Sequence, residues 1–517
     1  MKRILFAAIV SAMPSVMLAQ SAVDAYQLTQ GDLKGTARFV SMGGAFGALG
    51  GDLSTLTQNP AGIGVYRSSE IGVTLDFNFQ ATKTNSDGYS LKEDQVKVYC
   101  PNFGYVGNAR LKNDVMPMLN WGISYSRAVS FDRIYRGRFE QLNNSVSNYI
   151  ASFSGDYSPS ELGMTNTYNP YLDSNADWLS ILAYNTYMIN PSGNSSEYNG
   201  LFKNGTTGNS EYAVHERGYI DEFSLNFGGN FVDMVYWGIG LGITDIDYVN
   251  ETFYDEELVD AQIVNYEETG TINGDAYIAI DNFKHVSGTG YNFKAGLIVK
   301  PINELRFGFA VHTPTYYDLR HDYDAISDFS YSSGVEGNDY TEVAIFDSKL
   351  RTPWKIMASA AGVIGGRAIL SLDYEYNACN DMSVKTGYGY SNDAVNNDIK
   401  NYYQGQNIIR VGAEYRITPQ FSLRAGYNYQ SSNVNKPTLN GAEYVYTSGT
   451  DPSYTFDNTI QYITGGLGFR TGGFYIDAAY VYKNRESIFT AYSNLYAPVA
   501  KVEDNNSSVV MSVGYKF

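Results

Sequence analysis

The chain has 517 residues, with Gly 51, Tyr 46 and Phe 26 against only 14 prolines, a usage that favours one large β-rich unit with tight turns over a helical bundle. A formal charge of -18 with 17% charged residues argues against a nucleic-acid binder, because a phosphate backbone is met with clustered Lys and Arg that this chain does not show. Mean hydropathy is -0.28, yet alternating strands hide membrane character in any average, so a membrane β-barrel stays open.

In chain order, Lys2 and Arg3 precede an apolar stretch from Ile4 to Leu18 that closes on Met17-Leu18-Ala19-Gln20, the pattern of an export signal over residues 1–19. Ser11, Pro14 and Ser15 interrupt this stretch, and it is short for a spanning helix. Residues 20–64 lack strand alternation and carry glycines among aromatic and aliphatic residues that include Phe46 and Leu49. Such a segment suits a compact hatch inside a lumen. Its glycine cluster has neither the GxxxxGK[ST] spacing nor the βαβ context of a phosphate loop. The hatch closes on Asn59-Pro60-Ala61. There Asn59 can hydrogen-bond to wall backbone, Pro60 fixes the chain direction without needing a donor, and Ala61 leaves room for close approach.

From residue 65 onward, period-2 segments recur. The clearest is Glu70 to Gln80, where Ile71, Val73, Leu75, Phe77 and Phe79 share one face and Gly72, Thr74, Asp76, Asn78 and Gln80 the other. Comparable runs at Leu119–Arg127, Val235–Ile243, Tyr291–Val299, Ala368–Tyr376 and Val509–Phe517, with shorter or weaker ones between, predict about 14 strands. Long and short connections alternate, as in a membrane barrel with turns at one end and loops at the other. Long connections are predicted at residues 81–95 and 244–290, the largest at 128–217, and a tight turn at Gly365-Gly366. The expected fold is all-β, a transmembrane antiparallel β-barrel over residues 65–517 with an N-terminal hatch in its lumen. Both chain ends would then sit at the short-turn side.

The order of an export signal, Ala48-Leu49-Gly50-Gly51-Asp52, Asn59-Pro60-Ala61 and then a long strand resembles the FadL/TodX family of outer-membrane transporters for hydrophobic compounds, including Bacteroidetes-type chains labelled hemin receptors. The resemblance implies passive uptake of a hydrophobic small molecule, a long-chain fatty acid or similar, captured outside and released sideways through a gap in the wall. It implies a Gram-negative outer membrane with periplasmic termini, and gating by Asn59, Pro60, Ala61, Phe46 and Leu49. Its partners would be the ligand, outer-membrane lipid and, through Phe517, the barrel-assembly machinery.

Candidate chemistry is sparse. No HExxH, paired-Cys or GxSxG pattern occurs, so no enzyme, metal or cofactor is expected. His312 falls in the inward phase with Arg306, Gly308 and Ala310, which leaves a heme-binding receptor as the alternative to a solvated histidine at a loop edge. Arg306, Arg410 and Arg424 lie amid the inward acids Asp373, Glu375, Glu414 and Asp477, either as a mutually neutralising network or as a site for a ligand carboxylate. The run Asp255-Glu256-Glu257 is expected to be solvated loop charge. Cys100 falls on the second predicted strand and Cys379 just beyond the ninth, too far apart around the barrel for a disulfide.

Overall fold

The computed structural model describes residues 20–86, 89–192, 197–265 and 270–517; the expected export signal lies outside the described residues. Strands β1 (Glu70–Ser86) and β2 (Tyr89–Arg110) are followed by β3 (Met118–Ser130, continued by Arg133–Phe139), β4 (Thr207–Phe231), β5 (Val235–Val264), β6 (Thr271–Ile302) and β7 (Leu305–His312, continued by Tyr316–Tyr331). Strand β8 returns in three pieces, Glu336–Tyr340, Ala344–Arg351 and Lys355–Ile364. Then come β9 (Ala368–Asn377), β10 (Gln406–Arg416), β11 (Phe421–Ser431), β12 (Tyr454–Thr471), β13 (Phe474–Thr490) and β14 (Val499–Lys516). Each strand pairs antiparallel with the next, and β14 pairs with β1 from Glu70 opposite Lys516 to Asn85 opposite Lys501. The result is a closed barrel of 14 strands.

The apolar residues show where the membrane lies. On β5, Ile239 and Ile243 point outward and are 54% and 48% exposed, whereas Ile246 and Tyr248 point inward and are 1% and 3% exposed. The apolar phase therefore inverts between Ile243 and Asp245. Lipid surrounds the wall below that level, and water surrounds it above, where Asp245, Asp247 and Glu251 take the outward positions. The same inversion separates the outward Tyr291 and Phe293 of β6 from the inward Val286 and Ile280.

This inversion corrects the expected loops. Residues 244–290 are mostly the upper halves of β5 and β6, and the connection after β1 shrinks to a hairpin between Ser86 and Tyr89. Residues 128–217 contain the continuation of β3, the first residues of β4 and a helical cap between them. At the opposite end, Gly365 and Gly366 adopt φ of 58° and 65° between Ile364 and Arg367, the left-handed pair that a two-residue hairpin needs.

The lumen is filled in layers. Residues 20–66 form helices α1 (Ala22–Gln27), α2 (Ala37–Ser41) and α3 (Thr55–Gln58), then a 3-10 turn Pro60–Val65. The turn packs near the short-turn end, against the ends of β4, β5 and β6. Helix α1 lies far up the barrel instead, with Tyr403 donating to the Ala22 carbonyl at 2.7 Å and the Asp457 N–H donating to Tyr26 at 2.7 Å. Residues 20–27 thus lie toward the long-connection end, opposite Phe517. Above α1, α4 (Val146–Phe153) and α5 (Trp178–Asn185) form the cap, whose core joins Tyr135, Phe139 and Tyr212 to Phe489 and Tyr492 across the mouth.

Candidate functional site

The base of the lumenal segment, residues 36–66, is fixed by wall side chains that bond to its backbone and by close approach to the wall. Thr36 caps α2 by accepting the Phe39 N–H, and Asn59 caps the 3-10 turn by accepting the Ala61 N–H at 3.1 Å. The second atom of that amide does not reach the wall as the sequence reading expected. Nδ2 donates to the Gly47 carbonyl at 2.6 Å, so Asn59 ties the segment to itself. Wall contact comes from close approach: a Cβ on Gly238 would stand 2.1 Å from the Pro60 carbonyl oxygen, and one on Gly296 would stand 1.9 Å from Asn59 Oδ1. Ala61 is fully buried beside them.

Phe46 is also fully buried, 5.6 Å from the Phe39 ring and 5.1 Å from the Arg38 guanidinium. Leu49 is 5% exposed, and its carbonyl accepts from Arg306 at 2.8 Å. Arg306 therefore serves the segment rather than an open cavity. Arg424 is buried between Glu414 at 2.7 Å and Asp477 at 2.6 Å, and Arg38 reaches the same Glu414 at 3.1 Å. This is the neutralising network read from the sequence, with one partner drawn from the hatch. Asp373 accepts the Gly47 N–H at 2.9 Å.

Residues 20–35 form an arm held differently. Three ion pairs attach it to the wall: Asp24 to Lys284 at 2.6 Å, Asp32 to Lys483, and Lys34 to Asp76 at 2.7 Å. Burial works against the Asp32 carboxylate, but Lys483 and Lys34 outweigh it and hold its pKa at about 2. This pair is therefore present at neutral pH and is lost only as pH falls through about 2. The sequence reading missed these pairs, although a signal existed. A lumenal segment rich in small residues must find partners for its few charges, Asp24, Asp32, Lys34 and Arg38.

Between base and arm lies a cavity of about 240 Å³, lined by His312, Lys294, Lys355, Glu375 and Arg410 together with Leu28 to Lys34. His312 donates through Nε2 to the Gln58 carbonyl at 2.7 Å; the ring is neither a solvated loop histidine nor grouped with other histidines. Arg410 pairs with Glu375 at 2.7 Å, while its Nη1 is buried without a hydrogen-bond partner among the described residues. Lys355 makes no ion pair among them. Both cysteines are free thiols, and no cluster among the described residues could hold a metal ion.

A second, smaller cavity lies behind a seam in the wall. Backbone pairing of β2 with β3 ends at Asn102 opposite Ser126, although β2 continues to Tyr89 against β1 alone. Pro101 has no N–H to offer across the gap, and β3 slips register against β4 between Arg127 and Val129. Tyr99 and Pro101 line this cavity of about 50 Å³ from one side, and Ser130, Phe131 and Asp132 from the other. Among the described residues side chains bridge the seam: Tyr99 donates to Asp132 at 2.8 Å, Lys97 lies 3.2 Å from the same carboxylate, and further along Arg136 pairs with Glu93 at 2.5 Å.

No family model matches this chain, and no curated protein does. Solved structures do. A Pseudomonas aeruginosa FadL homologue superposes with a TM-score of 0.51 at 14% identity, over 94% of this chain and 100% of that one. A deltaS2 mutant of the TodX monoaromatic hydrocarbon channel gives 0.50 at 14% identity, again over 94% and 100%. Likeness at these identities is likeness of fold: the chain is a FadL-type 14-stranded transmembrane β-barrel with its N-terminal segment packed in the lumen.

Proposed function

We propose that the protein carries hydrophobic small molecules with an anionic head, of the long-chain fatty-acid type, passively across the outer membrane. The carrying observation is the cavity of about 240 Å³ between base and arm, where Lys355 and Arg410 face the single carboxylate of Glu375 and Nη1 of Arg410 is left with no hydrogen-bond partner among the described residues. Residues 20–66 act as the hatch, with Phe46, Leu49, Asn59, Pro60 and Ala61 in the permanent seal and the ion-paired arm as its movable part. Arg410 and Lys355 meet the head group, His312 positions the hatch carbonyl of Gln58, Arg306 holds hatch to wall, and Arg424 orients the Glu414 that pairs with Arg38 of the hatch. The long-connection end faces outward and Phe517 the periplasm. Release is sideways through the seam between β2 and β3, whose outward residues Val96 and Val98 are 64% and 60% exposed at lipid level. One of the two structural neighbours is a monoaromatic hydrocarbon channel, which supports a hydrophobic cargo.

Lys355→Met removes a head-group cation without orphaning an acid. In liposomes carrying the purified protein, half-saturation for a long-chain fatty acid is expected to rise about tenfold, the loss of one charge-assisted hydrogen bond, with uptake of its methyl ester unchanged. Fatty-acid uptake no faster with the protein than without it overturns the reading.

A further inference from the structure

We infer that Glu256 is a proton-sensitive latch holding the cap closed over the mouth of the barrel. Glu256 sits on the inward face of upper β5, above the lipid level, and is fully buried. The expectation that the Asp255-Glu256-Glu257 run is solvated loop charge holds in exposure for Glu257 alone: the run lies on strand β5, Asp255 is half-buried and accepts the Glu211 N–H at 2.6 Å, and alternation turns the Glu256 carboxyl into the cap core. Glu256 accepts the Val146 N–H at the start of α4 at 2.8 Å, the Tyr254 hydroxyl at 3.0 Å and the Ser145 hydroxyl. Ser145 in turn meets Ser147 at 2.6 Å.

The titratable groups around it are all neutral or acidic. Tyr254 comes from β5 itself, Tyr492 from the connection between β13 and β14, and Asp255 stands on the opposite face of the strand. Among the described residues no lysine, arginine or histidine pairs with Glu256. The carboxyl therefore ties α4 to the wall by hydrogen bonds alone, and α4 carries Tyr149, stacked 5.6 Å from Tyr492 and 5.9 Å from Tyr444, across the mouth. Burial raises the Glu256 pKa to about 7, against which its three hydrogen bonds act only in part.

The sign follows from linkage. A raised folded pKa means that the closed cap binds the proton more tightly than the open one. Stability of closure is complete below the ordinary glutamate value near 4.5 and falls as pH rises toward about 7. Glu256→Gln should hold the cap at every pH, because its carbonyl can accept from Val146 and Tyr254 while its amide donates to Ser145.

Hydrogen exchange of cap peptides, in full-length protein in lipid nanodiscs and corrected for intrinsic rates, tests this directly. In the wild type the opening constant of residues 146–185 should rise about tenfold per pH unit between about 5 and about 7 and level off above. Glu256→Gln should remove that rise while keeping the protection of the wild type at pH 5. Flat wild-type protection across this range, or an unchanged rise in Glu256→Gln, overturns the latch. The readout is cap opening rather than uptake, so its outcome is separate from that of the transport reading.

Discussion

Gly238→Val is expected to unseat the base of the hatch and turn a closed barrel into an ion-conducting one. The added Cβ alone would stand 2.1 Å from the Pro60 carbonyl oxygen and 2.7 Å from the Ala61 nitrogen, and both are backbone atoms that no rotamer change can move. Either β5 shifts or the 3-10 turn lifts. β5 is locked between β4 and β6 by continuous pairing, whereas the turn is held by side-chain bonds such as Asn120 to the Ile63 carbonyl at 2.7 Å, so the turn gives way. Overpacking of this kind costs on the order of 1–3 kcal/mol, enough to change which conformation is populated without unfolding the wall. Planar-bilayer recordings should show conductance at least about tenfold above wild type, with heat-modifiable migration intact. Gly362→Ala is the control, since its Cβ would meet nothing nearer than 3.9 Å. A Gly238→Val protein that stays non-conducting would show that the base is not the seal.

What the sequence disclosed depended on which solvent each face met. Val235 to Ile243 reads as a strand because lipid demands apolar residues outward, alternating with the inward Tyr236, Gly238, Gly240 and Gly242. Thr244 to Val264 continues the same strand, but Ile246, Tyr248 and Tyr254 now face inward and acids face out. A reader following one apolar phase loses the strand at the point where water replaces lipid. Gly365-Gly366 was legible because positive φ at two successive positions is a local demand that glycine meets at no steric cost. Asn59 was legible as a fixed point but not in its partner, since an asparagine side chain competes first for the nearest backbone N–H. Glu256 was hidden because a run of three acids has a clear meaning only once the pleat assigns each to a face. The arm pairs were hidden for the complementary reason: Asp24 and Lys284 are brought together by closure of the barrel, which no local pattern encodes.

The arm itself supplies the second large effect. Lys284→Met leaves Asp24 in the lumen without the cation 2.6 Å away, and breaking a buried pair from one side costs about 3–5 kcal/mol. Hydrogen exchange of residues 22–35 should therefore accelerate at least about a hundredfold at pH 7, while residues 36–66 keep their protection because none of the contacts described for them runs through Asp24 or Lys284. In the wild type, burial favours the protonated Asp24 acid but Lys284 outweighs it and keeps the group ionised. Without Lys284 burial prevails, so Asp24 in the variant takes up a proton as pH falls and the arm regains stability toward pH 5. The double variant Asp24→Asn with Lys284→Met removes both charges and should recover most of the loss at every pH, which a merely structural role for the Lys284 stem would not allow. If the single and double variants exchange alike at pH 7, the charge pair does not hold the arm, and the movable part of the hatch must be sought at Asp32 and Lys34 instead.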